Sequence, residues 1–96
     1  MNPIQRLDGL QIDIDFDFPR RSVEDGIAEL LITECGVEPD DIFRIAVEQE
    51  HHVEVGRTEN GALITEPEAF TVYVETTDHR ATVIVNRDGI IRAEEK

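Results

Sequence analysis

The clearest pattern in the chain is a strict alternation of apolar and polar residues near its beginning. From residue 10 to residue 18, every second position is apolar and the positions between are polar. The apolar positions are Leu10, Ile12, Ile14, Phe16 and Phe18, and the polar ones are Gln11, Asp13, Asp15 and Asp17. Because successive side chains of a strand point to opposite faces, this period of two predicts a β-strand over residues 10–18.

A helical pattern follows over residues 22–35. Apolar residues recur at helical spacing on one face, namely Val23, Ile27, Leu30, Leu31 and Cys35. Ser22 is a suitable N-cap with Asp25 three residues later, and Gly36 stands where helices commonly end. The sequence therefore predicts one amphipathic helix.

The segment 39–55 fits two interpretations. The run Pro39-Asp40-Asp41 could open a second helix, whereas alternate apolar residues such as Ile45 and Val47 suit one face of a strand. The β-branched residues near the end of the segment favour a strand over residues 42–55.

Turn residues divide the rest of the chain into short strands. Asn60-Gly61 and Asp88-Gly89 are turn signals, and Glu66-Pro67-Glu68 interrupts the pattern between them. We expect strands over 62–65, 70–76, 80–86 and 90–93, with 1–9 a loose lead-in and 94–96 a tail.

These elements predict one domain over residues 1–96, of the α+β class. One helix would pack on a mostly antiparallel sheet of four or five strands, in the order β-α-β followed by a β-meander. A single helix covers one face of a sheet, so we expect the acidic positions on the other, solvated face.

Charge then narrows the classes of partner. The 96 residues include 22 acidic and nine basic ones, a formal net charge of −13. Such a surface repels nucleic acid and anionic membranes and attracts a basic protein. Solubility, or adaptation to a salt-rich cytoplasm, is the alternative explanation of the charge. The single cysteine, the lack of an apolar run after Met1 and the lack of a membrane span favour a cytoplasmic protein.

Six carboxylates are the candidate partner-binding residues. They alternate along two predicted strands and are Asp13, Asp15, Asp17, Glu48, Glu50 and Glu54. Alternate residues of a strand lie about 6.6 Å apart on one face, and neighbouring strands would place the two rows about 4.8 Å apart. Such rows could imitate a nucleic-acid backbone and block a DNA- or RNA-binding protein. They could also be merely the wet positions of amphipathic strands.

Other chemistry has weaker support. The Asp13-x-Asp15-x-Asp17 string resembles the start of a calcium loop but lacks the glycine at position six. Adjacent His51 and His52 point apart on a strand, which argues against a zinc site with His79 or Cys35. No nucleophile motif or phosphate-binding loop is present, so we expect no enzyme, metal or cofactor.

Self-assembly is the rival function. The last predicted strand, which carries Ile90 and Ile91, would lie at a sheet edge where another copy could pair.

Overall fold

The computed structural model describes residues 3–17 and 19–96, apart from the side chain of Pro19. Helix α1 spans Pro19–Thr33, and it precedes four strands: β1 (Ile42–Arg57), β2 (Leu63–Thr76), β3 (Arg80–Asn86) and β4 (Gly89–Glu95). Two short 3-10 helices cover Gln5–Leu7 and Pro39–Asp41. The strands form one antiparallel sheet in the order β1-β2-β3-β4. The fold is therefore α+β, but the predicted β-α-β order is wrong.

Residues 10–17 form no strand, although their alternation predicts burial correctly. Ile12 and Ile14 are half-buried and Phe16 is buried, while the acidic residues between them are exposed. The backbone meets β4 at Leu10, whose carbonyl accepts a hydrogen bond from the Ile90 N–H, 2.7 Å. A period of two requires only an extended chain with one buried side, and here that side lies on the helix and the core. Phe18 lies outside the described residues.

The helix begins three residues earlier than predicted. Ser22 lies inside α1 and is not its N-cap, and the first turn contains two arginines and no acidic residue. The buried stripe is as predicted, with Val23, Ile27 and Leu31 fully inaccessible. Gly36 has a φ of +69°, the left-handed conformation that glycine adopts readily after a helix.

The strand interpretation of residues 42–55 is confirmed, and β1 extends to Arg57. Its register against β2 shifts at four places, which is typical of β-bulges. The predicted break at Glu66-Pro67-Glu68 is wrong, since β2 runs through Pro67. The partner strand β3 begins its pairing at Ala69, so Pro67 interrupts no ladder on that side.

Residues 3–9 and 94–95 are more ordered than predicted. In the supposed lead-in, Ile4 and Leu7 are fully buried, and in the supposed tail, Glu94 and Glu95 belong to β4. The core lies between the sheet and the layer formed by α1 and the extended segment 10–17. We call the layer formed by α1 and residues 10–17 the cover layer. Phe16 joins the two layers, its ring centroid 5.0 Å from that of Phe70 on β2.

Candidate functional site

The negative charge is concentrated before the sheet. Residues 3–41 contain 11 acidic and three basic residues, whereas residues 42–96 contain 11 and six. The first part of the chain therefore has a formal charge of −8 and the second −5. Since the first part includes the cover layer, that side of the molecule has the stronger negative field.

The open face of the sheet is mixed in charge, contrary to the prediction that acidic residues line it. Four of the nine basic residues lie there, namely Arg44, Arg80, Arg92 and Lys96. Three of them form ion pairs, Arg80 with Glu75, Arg92 with Glu94 and Lys96 with Glu48. Arg44 and Lys96 also approach the Tyr73 ring, 5.9 and 5.2 Å from its centroid. This face is close to neutral because its charges are paired locally.

Asp13, Asp15 and Asp17 project from the cover layer and not from the sheet. All three are exposed, and Asp15 Oδ1 accepts a hydrogen bond from the Asp17 N–H, 2.9 Å. Within residues 3–17 and 19–96, none of the three forms an ion pair. This row is therefore available to cations from outside.

Glu48, Glu50 and Glu54 do not form the predicted second row. Glu48 lies with Lys96 on the open face, 3.9 Å between Oε1 and Nζ. Glu50 points to the helix side and Glu54 pairs with Arg57 at 3.3 Å. The bulges in β1 break the alternation that the sequence implies. The prediction that the two rows lie side by side is wrong, and mimicry of nucleic acid stays a prediction without that support.

Glu50 instead ties β1 to the helix start. Arg20 Nε donates to its Oε1 at 3.2 Å, and His52 Nε2 lies 3.3 Å from its Oε2. The hydrogen bonds from His52 and Arg20 hold the pKa of the Glu50 carboxyl below its ordinary value of 4.5. Glu50 is thus engaged within the molecule and is a poor candidate for a partner contact.

A groove lies between the extended segment and α1, and three carboxylates belong to its lining. It encloses about 260 Å³, and its lining combines the apolar Ile12 and Leu30 with Gly26 and the polar Gln11 and Thr33. The carboxylates that border it are Asp13, Glu29 and Glu34, and all three are exposed. We call this feature the acidic groove.

Gly26 makes the acidic groove possible. A Cβ at this position would lie 2.9 Å from Ile14 Cγ1 and 3.4 Å from Ile12 Cδ1. The extended segment can lie against α1 only because no side chain separates them. Glu29 and Glu34 were not among the predicted partner-binding residues. Their position on the polar side of the predicted helix was the available signal, but the neighbour of that helix was not predictable.

The candidate metal ligands lie in different surroundings. His51 Nε2 contacts the Thr71 hydroxyl at 2.9 Å, while His52 faces Glu50, and His79 Nδ1 lies 2.9 Å from Glu95 Oε1. Cys35 is buried, and burial raises the pKa of its thiol, which disfavours the thiolate. In the described ranges, no three histidine, cysteine or acidic residues come close enough to hold a metal ion.

No helix among the described residues is long and apolar enough to cross a bilayer. No protein-family model, curated protein or solved structure matches this chain.

Proposed function

We propose that the protein is a non-catalytic interaction protein that binds a basic partner surface through the acidic side of its cover layer. The acidic groove carries this proposal. It combines two apolar side chains, Ile12 and Leu30, with three carboxylates that have no ion-pair partner among the described residues. Asp15 and Asp17 extend the negative surface along the same segment.

The groove suits an arginine side chain. The aliphatic stem of arginine can pack on Ile12 and Leu30 while the guanidinium remains at the wet border. Carboxylates accept two parallel hydrogen bonds from a guanidinium, which favours arginine over lysine at such a place. The cover layer would therefore recognise a partner with a protruding arginine inside a basic surface.

The two parts of the interaction have different effects. An exposed ion pair contributes only about 0.5 kcal/mol, so three together contribute about 1.5 kcal/mol, or roughly tenfold in affinity. The charge of −13 contributes chiefly by accelerating encounter with a basic partner. The groove would thus supply the selectivity, and the electrostatic field of the whole molecule would raise the association rate.

A titration with a hexa-arginine peptide, followed by amide NMR shifts at low salt, tests this proposal. We expect the shifts to cluster at residues 11–17 and 26–34. The variant Asp13→Asn, Glu29→Gln, Glu34→Gln should bind about tenfold more weakly. Binding of the unmodified protein should also weaken as salt rises from about 50 to about 500 mM, because these charges are exposed.

A matched variant separates the groove from net charge. Glu66, Glu68 and Asp88 border a different notch, beside the β3–β4 turn. The variant Glu66→Gln, Glu68→Gln, Asp88→Asn removes the same three charges and should leave peptide affinity within about twofold. Equal losses in both variants would mean that the peptide responds to net charge alone, and the proposal would then be wrong.

A further inference from the structure

The hairpin formed by β1 and β2 extends beyond the rest of the sheet. β3 pairs with β2 only from Ala69 to Glu75, so residues 52–67 form a two-stranded arm. The longest dimension of the molecule is 50 Å, against 22 and 21 Å for the other two. A hairpin with no third strand is marginally stable in water, which makes an arm of this length unusual without a covering surface.

The arm also exposes apolar side chains. Of the seven large hydrophobic residues that are exposed in the described part of the chain, four lie in the arm, namely Val53, Val55, Leu63 and Ile64. Leu63 is 53% exposed and Ile64 is 42% exposed, although neither belongs to a loop. A concentration of this kind, away from the core, is typical of an interaction surface.

The register divides these residues between the two faces of the arm. Val53 lies opposite Glu66, and Gly56 lies opposite Ile64. Because residues 64 and 66 share a face, Val53, Gly56, Ile64 and Glu66 form one surface, which we call the outer arm face. Leu63, opposite Arg57, points to the other face.

Gly56 lies on the outer arm face at the register shift between Glu54 and Gly56, but it adopts no left-handed backbone there. Its φ is not positive, and a Cβ at this position would meet nothing within 4 Å. Glycine inside a strand lowers stability by about 0.5–1 kcal/mol relative to alanine, and it often marks a bulge or a place where another backbone approaches closely. Beside the exposed Ile64, it leaves a hollow next to a projection.

We propose that two copies of the chain pack through their outer arm faces, with Ile64 of each copy over Gly56 of the other. Ile64 projects from the outer arm face, and Gly56 leaves a hollow directly opposite it. Such a surface is complementary to itself, as a dimer with a two-fold axis requires. Glu66 on the outer arm face borders a notch with Glu68, Arg87 and Asp88, while Glu54 pairs with Arg57 on the other face. Because the projection and the hollow fit each other, the surface suits a second copy of the chain, and the projecting arms keep the remaining parts of the two acidic molecules apart.

The contact is small, so the dimer is weak. An arm with strands of six and five residues measures about 20 by 10 Å, or on the order of 200 Å² per copy. Stable dimers bury about 800 Å² per partner, so self-association should become visible at high micromolar to millimolar protein.

Sedimentation equilibrium at about 1 mM protein in about 0.5 M NaCl tests the proposal. The average mass should rise from 10.9 kDa toward twice that value, and it should fall at low salt because the bodies repel each other. The variants Gly56→Val and Ile64→Thr should both remain monomeric. Gly56→Val should not lower the thermal midpoint, since valine suits a strand and has room.

Leu63→Thr is the matched control, because it removes an even more exposed apolar residue from the opposite face and should still dimerise. A monomeric unmodified protein under these conditions overturns the proposal. So does loss of the dimer in Leu63→Thr with its retention in Gly56→Val and Ile64→Thr. Association that strengthens at low salt would indicate pairing of opposite charges and would also overturn it. None of these outcomes bears on peptide binding by the acidic groove.

Discussion

Single carboxylates on the helix side stabilise the edge strand β1. Glu24 Oε1 accepts a hydrogen bond from the Val47 N–H at 3.0 Å, next to the bulge at Glu48. An edge strand with free backbone groups can pair with another chain, so a side chain that occupies one of them protects the monomer. Glu50 acts nearby on the helix itself. Its contact with Arg20 offsets a cation in the first helical turn, where the helix dipole disfavours positive charge.

The lowered pKa of Glu50 makes part of the stability depend on pH. A carboxyl with a lower pKa in the folded state than in the unfolded state stabilises the fold above about pH 4.5. That contribution disappears as pH falls through the folded-state pKa. The variant Glu50→Gln should therefore unfold in less urea than the unmodified protein at pH 7, and the difference should shrink below pH 4.5.

Glu59→Gln, in the exposed turn at the arm tip, is the control for this measurement and should show no such convergence. A constant difference between the Glu50→Gln variant and the unmodified protein from pH 7 to pH 3 would contradict the assigned role.

At the scale of elements, the contact between α1 and the extended segment depends on Gly26. Gly26→Ala should gain about 1 kcal/mol of helix propensity and lose about 2 kcal/mol from the close approach to Ile14. We expect a net loss on the order of 1 kcal/mol in urea unfolding. In an Ile14→Ala background the same change should become stabilising, because the obstructing side chain is gone. Equal effects in both backgrounds would show that the contact is not close.

Much of the element content could be predicted from local pattern. The helical stripe from Val23 to Leu31 and the strand interpretation of residues 42–55 depend on periodicity, and the structure confirms both. The error at residues 10–17 has a different origin, since alternation reports burial and not hydrogen-bonding partners. The long strand through Pro67 was missed because proline is tolerated where no neighbouring strand needs its N–H.

The candidate site was less predictable, because it depends on which elements become neighbours. Asp13 was identified from the alternation, but Glu29 and Glu34 join it only because the segment lies along the helix. Bulges in β1 moved Glu48 and Glu50 to opposite faces, and no sequence signal locates those bulges. The sequence shows a glycine at position 56, but only the strand register shows that it lies opposite Ile64.

At the scale of the whole molecule, the charge of −13 acts against the compact state. Salt screens this repulsion, so the thermal midpoint should rise as NaCl increases from about 0.02 to about 0.3 M and then level off. The Asp13→Asn, Glu29→Gln, Glu34→Gln variant has three fewer negative charges and should show a smaller rise. A steep increase that continues above about 1 M would instead indicate adaptation to a salt-rich cytoplasm.

The turn at the end of the arm has a practical consequence. Thr58 and Ala62 close it through a hydrogen bond of 2.8 Å, Gly61 adopts a φ of +81°, and residues 57–66 are all exposed. A short epitope inserted between Glu59 and Asn60 would be displayed at the far end of a 50 Å molecule, clear of the folded body. An insertion at this turn would therefore allow the protein to be immobilised or labelled without altering its core.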